Sequence, residues 1–304
     1  GKEQAEAYLN GRWNVVSDTY DLDGFFRLSS DLVLGDEAAA DASDMSGWAL
    51  VFEKDSEVTV GVVANVFQPV GVVVKMQLHR GGVKCATGEV NGEYVFGAEG
   101  GFNGGVVFDV CERIALPRAG RFDLALTEET HARGTIVGNT FTEGAIDVVL
   151  VAREGDVDKA RLAVGVPYTG GDEFSGHAEI AVLDPIRVGE RRMGTAQYAI
   201  DLNTKTRAYI GLESNSLTAF DGEVGLDVLR DEAPFAEGDF ALRYDLSDPA
   251  AAVNATGALR LIGVLELGDV GPYTFALEGG SELSVFIEDG GLAWIRGRMA
   301  LAAS

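Results

Sequence analysis

The stretch EVTVGVVANVFQPVGVVV (Glu57–Val74) is the most apolar part of the chain, and its reading decides the fold. Its length would suit a membrane-spanning helix. However, Asn65, Gln68 and Pro69 interrupt it, and its valines and threonine are β-branched, which favours two strands with a break between them. Outward from this stretch the same period-two alternation continues almost everywhere, from Arg12–Ser17 and Trp48–Glu53 to Ala258–Val264 and Leu292–Leu301. Roughly seventeen short strands separated by turns result, the pattern of an antiparallel meander folded as a sandwich or barrel-like structure. The fold class is therefore all-β.

Composition agrees. The 304 residues include 40 glycines, too many for a helical protein but useful in turns, bulges and close strand contacts. Hydrophobic residues make up 46%, which excludes a disordered chain. The 48 Asp and Glu outnumber the 24 Lys and Arg, giving a net charge of −24. Such a surface repels nucleic-acid phosphates and excludes that class of partner. It suits a salty medium or a secreted protein, and it could attract cations, Ca²⁺ above all. The chain begins with Gly1 and shows no secretory signal, so a removed leader and an extracellular, periplasmic or cell-surface location are the expectation.

Lys2–Asn10 (KEQAEAYLN) reads as the one short helix, from its Ala, Glu and Gln content. Asn91-Gly92 reads as a type I′ hairpin turn, and Gly100–Gly105 as a glycine-rich turn feeding the strand VVFDVCERIAL. GTAQYAIDL (Gly194–Leu202), GDFALRYDL (Gly238–Leu246) and GHAEIAVLDP (Gly176–Pro185) echo one another as a strand–turn–strand unit. The polar stretch Arg153–Lys159 divides an N-terminal β domain, 1–152, from a C-terminal one, 153–304, although one continuous β structure is compatible with the same pattern.

Cys85 and Cys111 invite a disulfide in a secreted β protein. If Asn91-Gly92 is a turn, however, Cys111 falls on the third strand of the meander, about 9–10 Å away and beyond the reach of a bridge. A bridge and two free thiols both remain open. The histidines, His79, His131 and His177, have no metal-ligand spacing, and neither a Gly-x-Ser-x-Gly elbow nor a phosphate loop before a helix occurs. His177 and Glu179 share a strand face, which more often means a satisfied surface residue than catalysis.

Among the acids, Asp18, Asp21 and Asp23, followed by Gly24, form a candidate calcium loop that lacks the later bidentate Glu of an EF-hand. Asp172-Glu173 and Asp245 with Asp248 are similar clusters, read as turns. Trp48 is the candidate ligand-stacking aromatic, while Trp13 and Trp294, inside alternating strands, are expected in the core. Asn254-Ala255-Thr256 is a glycosylation acceptor triplet.

AYLNGRWNVVS, with Gly11, Arg12 and Trp13, resembles the helix-then-Gly-x-Trp opening of lipocalins. The Gly–Asp–return-strand units resemble the barrels of bacterial surface lipoproteins such as transferrin-binding proteins. Neither resemblance extends beyond these segments, and both imply a β-barrel-like binding protein. The expected function is accordingly non-enzymatic: binding a protein or small-molecule ligand, or serving structurally, with exposed Val-rich edges favouring homo-oligomers. An outer-membrane β-barrel and a carbohydrate-active or sugar-binding sandwich are the alternatives.

Overall fold

The computed structural model describes residues 4–35, 47–97, 100–171, 173–245, 253–270 and 273–303. Every regular element among them is a β-strand, and the strands pair antiparallel. The chain divides into two compact units, residues 1–150 with 165–173 and residues 151–164 with 174–304.

The first unit contains β1 (Ala5–Asn14), β2 (Thr19–Leu28), β3 (Leu32–Gly35), β4 (Trp48–Phe52), β5 (Glu57–Val63), β6 (Val66–Phe67), β7 (Val70–Arg80), β8 (Val83–Val95), β9 (Gly101–Val110), β10 (Ile114–Ala119), β11 (Phe122–Leu126), β12 (His131–Val137) and most of β13 (Thr140–Glu154). Its ladder runs β1–β2–β5–β7–β8–β9–β12–β13 and does not close, since among the described residues β1 pairs only with β2.

The second unit contains most of β14 (Val157–Tyr168), then β15 (Gly176–Val182), β16 (Ile186–Met193), β17 (Ala196–Leu202), β18 (Arg207–Glu213), β19 (Ser216–Arg230), β20 (Ala233–Asp245) and β21 (Val253–Leu261). It continues with β22 (Leu265–Val270), β23 (Tyr273–Leu277), β24 (Glu282–Glu288), β25 (Gly291–Arg298) and β26 (Leu301–Ala303). Here the ladder runs β15–β18–β19–β20–β21–β24–β25.

A fourfold repeat underlies both units, with a period of about 75 residues. Its signature is a Ser or Thr at a fork in the sheet: Ser56, Thr130, Thr206 and Ser281. Each hydroxyl donates to the C=O, and accepts from the N–H, of the residue 19 positions downstream: Lys75, Val149, Gly225 and Ala300 respectively. In the first repeat, β7 is met on one side by β5 at Gly71–Val73 and by β4 at Met76–Arg80. Lys75 lies between these two partners; its C=O accepts the Glu53 N–H at 2.9 Å, and Ser56 supplies the acceptor for its N–H. The third repeat forks identically, with β18 and β17 on β19.

Two further positions recur. A two-residue turn with left-handed backbone follows each fork strand: Ala64-Asn65, Gly138-Asn139, Ser214-Asn215 and Asp289-Gly290. The three asparagines clamp the strand entering the repeat. Asn65 binds the N–H and C=O of Tyr20, Asn139 those of Phe102, and Asn215 those of Phe174, at 2.7–3.1 Å. Gly290 keeps only the backbone half, donating to Val253 O at 3.0 Å. Gln4, Cys85, Lys159 and Phe235 likewise occupy one position, each accepting the N–H of Ser29, Cys111, Leu183 or Ile262.

Several expectations are corrected. The described part of the expected helix, Gln4–Asn10, is extended and belongs mainly to β1; Lys2 and Glu3 lie outside the described residues. Ala5, Ala7 and Leu9 alternate with Glu6, Tyr8 and Asn10 against β2, and that ladder overrides helix propensity. Asn91-Gly92 is not a turn. Both residues lie inside β8, opposite Val73 and Val72 on one side and Gly105 and Gly104 on the other. Gly92 is a close-approach glycine, since a Cβ there would strike Asn103 O and crowd the Phe102 ring. The turn is at Gly81-Gly82, and Gly101–Gly105 is strand rather than loop. The three echoing segments fall on β17, β20 and β15, which are different places in the true repeat. Arg153–Lys159 spans the turn between β13 and β14.

The core lies at and beyond the forks and is built from small residues. Ala49, Val51, Cys85, Ala86, Val110 and Ile114 are buried in the first unit, and Val182, Ala196, Ala199 and Ala236 in the second. No large side chain among the described residues is fully buried. On the other side of each fork the sheet carries side chains with substantial exposure, including Phe67, Phe141, Phe240 and Leu259.

Candidate functional site

The residues proposed from sequence are dispersed. Asp18, Asp21 and Asp23 sit at the β1–β2 hairpin, and each accepts a bond from the protein. Trp13 Nε1 donates to Asp18 at 3.3 Å, Ala64 N to Asp21 at 2.7 Å, and Asn10 Nδ2 to Asp23 at 3.0 Å. No group of three or more His, Cys, Asp or Glu side chains among the described residues is placed to hold a metal ion. Asp172 and Asp248 lie outside the described residues.

Both cysteines are free. Because Asn91-Gly92 is mid-strand, β8 and β9 are neighbours, and Cys111 N donates to Cys85 O at 2.8 Å. The side chains nevertheless diverge. Cys85 packs with Ala86, Val110 and Ile114, whereas Cys111 Sγ lies 3.8 Å from Thr87 Oγ1. Burial pushes the Cys85 thiol up from its ordinary value, which keeps it protonated and unreactive at neutral pH.

Trp48 packs on that same cluster with the Arg80 guanidinium 5.3 Å from its ring, so it is a core residue with a cationic cover. Trp13 and Trp294 reverse their expectation: they are 63% and 47% exposed. Alternation marked their strands correctly but could not tell a covered face from an open one. Trp294 stacks on Phe286 with ring centroids 5.6 Å apart.

The histidines are separate. His79 bonds Gln77 Oε1 at 2.7 Å, His131 pairs with Asp147 at 3.1 Å, and His177 stacks on Tyr209. The second ring nitrogen of His131, Nδ1, lies 3.0 Å from Glu129 O rather than from a nucleophile. Asn254 lies on β21 in the ladder with β20.

What sequence reasoning missed is a groove on one face of β19, β20, β21 and β24, enclosing about 650 Å³. The register aligns three rows across these strands. One is Gly222, Leu242, Ala255 and Ile287, and the next is Val224, Phe240, Gly257 and Val285. The third is Leu226, Gly238, Leu259 and Leu283. Each row contains a glycine, which lowers the floor. The Phe240 ring lies between two of them, 3.1 Å from where a Cβ would stand on Gly238 or Gly257, and Phe220 covers Gly222 in the same way at 3.0 Å. The rings shield strand backbone that a glycine would otherwise leave bare. Phe240, Leu242, Leu259 and Leu283 remain 40–50% exposed.

The reverse face of the same strands carries the charge. Arg243 pairs with Asp221 at 2.9 Å, Arg207 with Glu223 at 3.2 Å, Lys205 with Asp239 at 2.8 Å and Arg260 with Glu237 at 3.1 Å. The Asp239 carboxylate holds the Lys205 ammonium above its ordinary pKa, chiefly through their hydrogen bond. Strand alternation thus segregates the charge: hydrocarbon lines the groove, and the ion pairs lie on the other side with the stacked Phe286 and Trp294. An open, water-facing wall of this kind can bind only by burying apolar surface, because it offers almost no hydrogen-bonding group to orient a reaction.

Comparison of the chain with protein-family models, curated proteins and solved structures finds no match. Among the described residues no helix is long and apolar enough to cross a membrane.

Proposed function

We propose that this chain is a non-enzymatic β-repeat protein of the secreted, periplasmic or cell-surface space that binds an apolar small molecule in the β19–β20–β21–β24 groove. The groove itself carries this reading: its volume is that of ordinary ligand sites, and its lining from Phe220, Val224, Phe240, Leu242, Leu259 and Val285 is hydrocarbon. The acidic, Lys-poor composition supports the location. Side chains that could serve in catalysis are dispersed or already engaged in structural bonds.

The test is a fluorescence titration with a long-chain fatty acid bearing an environment-sensitive dye. Saturable binding is expected, weakened at least about tenfold by Leu242→Glu combined with Leu259→Glu. Both positions are already exposed, so these changes leave the fold intact. Absence of saturable binding, or equal binding by the double variant, overturns the reading.

A further inference from the structure

The repeat has a consequence for the two edges of the sheet, independent of the groove. In each repeat a long outgoing strand turns back into a long return strand. β7 pairs with β8 from Val70–Tyr94 to Arg80–Val83, and β19 pairs with β20 from Ala219–Asp245 to Arg230–Ala233. By every recurring marker β1 is a return strand. Gln4 O accepts the Ser29 N–H as Cys85 O accepts that of Cys111, and Ala5 and Trp13 stand where Ala86 and Tyr94, or Ala236 and Tyr244, stand. By the same markers β25 with β26 is an outgoing strand, because Ala300 bonds Ser281 as Lys75 bonds Ser56. Among the described residues, β1 has no outgoing partner and β25 has no return partner.

These two edges are halves of one junction. Gln4 faces β2 through its C=O, so the backbone groups of Ala5, Ala7, Leu9, Gly11 and Trp13 face away by alternation. Ala300 O accepts from Glu278 N, so those of Ile295, Gly297 and Met299 face away from β24. Side chains along both edges are among the most exposed apolar groups of the protein: Leu9 69%, Trp13 63%, Ile295 60%, Met299 74% and Leu301 60%. Their counterparts at the β7–β8 junction, Val90, Val70, Val74 and Met76, are half-buried, and Tyr94, the counterpart of Trp13, is 41% exposed. Charge agrees, since β25 carries Arg296 and Arg298 without an acid, whereas the β1–β2 hairpin carries Glu6, Asp18, Asp21 and Asp23 against Arg12 and Arg27.

We propose that β25–β26 of one copy pairs with β1 of a second copy, reproducing the internal outgoing–return junction. Ile295 then lies opposite Trp13, Gly297 opposite Gly11, Met299 opposite Leu9 and Leu301 opposite Ala7. The contact is head-to-tail, so copies add in series or close a ring.

Mass photometry and light scattering over a concentration series test this. The intact chain is expected to form dimers and larger species that dissociate on dilution. Gly297→Pro removes only an outward N–H, and a Cβ there meets ordinary contacts at 3.9–4.0 Å, so the variant folds while its β25 edge is blocked. Leu9→Lys blocks the β1 edge independently. Each variant alone is expected to be monomeric at concentrations where the parent assembles, with circular dichroism unchanged. Mixed together they are expected to give a dimer and nothing larger, because one intact edge of each kind remains. A parent that stays monomeric, variants that still assemble, or a mixture that yields no dimer each overturn the proposal, and none of these outcomes bears on fatty-acid binding.

Discussion

On one side of each fork the protein is two layers thick, and on the other it is an open sheet; the two regions are stabilised by different physics. At and beyond the forks, hairpins such as β10–β11 pack on the main strands, Ile114 and Leu126 against Cys85, Ala86 and Val110, and nearly all buried apolar residues lie there, Val62 and Ala163 excepted. The packing is tight and the side chains small: Ala86 has no exposure and Ala49 has 1%. On the open side, long ladders and aromatic rings laid over glycines do the stabilising, and few groups leave water completely. A polar defect should therefore be severe at a fork and mild on the open sheet.

The largest effect is expected at a fork. Thr130 is 6% exposed, and its hydroxyl satisfies both backbone groups of Val149. Thr130→Val keeps the shape and takes the acceptor from the Val149 N–H, while the Val149 C=O keeps its 2.9 Å bond from Thr127 N, so urea unfolding should show a loss of about 2 kcal/mol. Thr130→Ser should recover most of it, as Ser56 and Ser281 do that task in their own repeats. An equal loss for both variants would mean that packing, not the hydroxyl, holds the fork.

At the open end of the same repeat, Asn139 combines a left-handed backbone, φ 67°, with a 2.8 Å bond from Phe102 N–H. Asn139→Ala should destabilise by about 1–2 kcal/mol, through strain and the lost bond. Asn139→Gly relieves the strain and should lose less, the arrangement Gly290 already has. Nearby, the Phe141 ring occupies the space above Gly134 and Gly144 while remaining 41% exposed. Phe141→Ala should lose about 1 kcal/mol, well below a core aromatic deletion. A loss as large as that of a buried phenylalanine would show that the open face is covered in solution.

This contrast explains what could be read from the chain. Alternation alone identifies an all-β protein, because period two holds on both sides of every fork. The repeat stays hidden because its fixed points are backbone tasks that several side chains perform: Ser or Thr at the fork, and Ala-Asn, Gly-Asn, Ser-Asn or Asp-Gly at the turn. Similar strings such as GTAQYAIDL and GDFALRYDL mark unlike positions instead. Asn91-Gly92 misleads for a related reason, since glycine serves a close backbone approach there rather than a turn. The groove was invisible because Val224, Phe240 and Leu259 alternate as core residues would, and only the missing second layer distinguishes them.

The smallest effect is electrostatic, and it separates the two regions by pH. Arg187, on β16 of a covering hairpin, bonds Asp201 at 2.7 Å, Glu190 at 2.9 Å and Glu232 at 3.0 Å. Its guanidinium, chiefly through the hydrogen bond, holds the Glu232 carboxyl below the ordinary glutamate range. A carboxylate lowered in the folded state contributes stability that is present above its unfolded pKa and lost as pH falls through the folded value. Glu232 is well exposed, so the contribution is small and is better read as a titration than as a melting shift. Carboxyl NMR should place Glu232 below a reference glutamate, and Arg187→Gln should return it to the ordinary range. The ion pairs of the open sheet are spread one carboxylate to one cation, as in Arg243–Asp221, and Arg243→Gln should leave Glu232 unmoved. If Glu232 titrates normally in the parent protein, the Arg187 cluster is loose in solution, and the covering hairpin is held by its ladder with β19 and its apolar contacts.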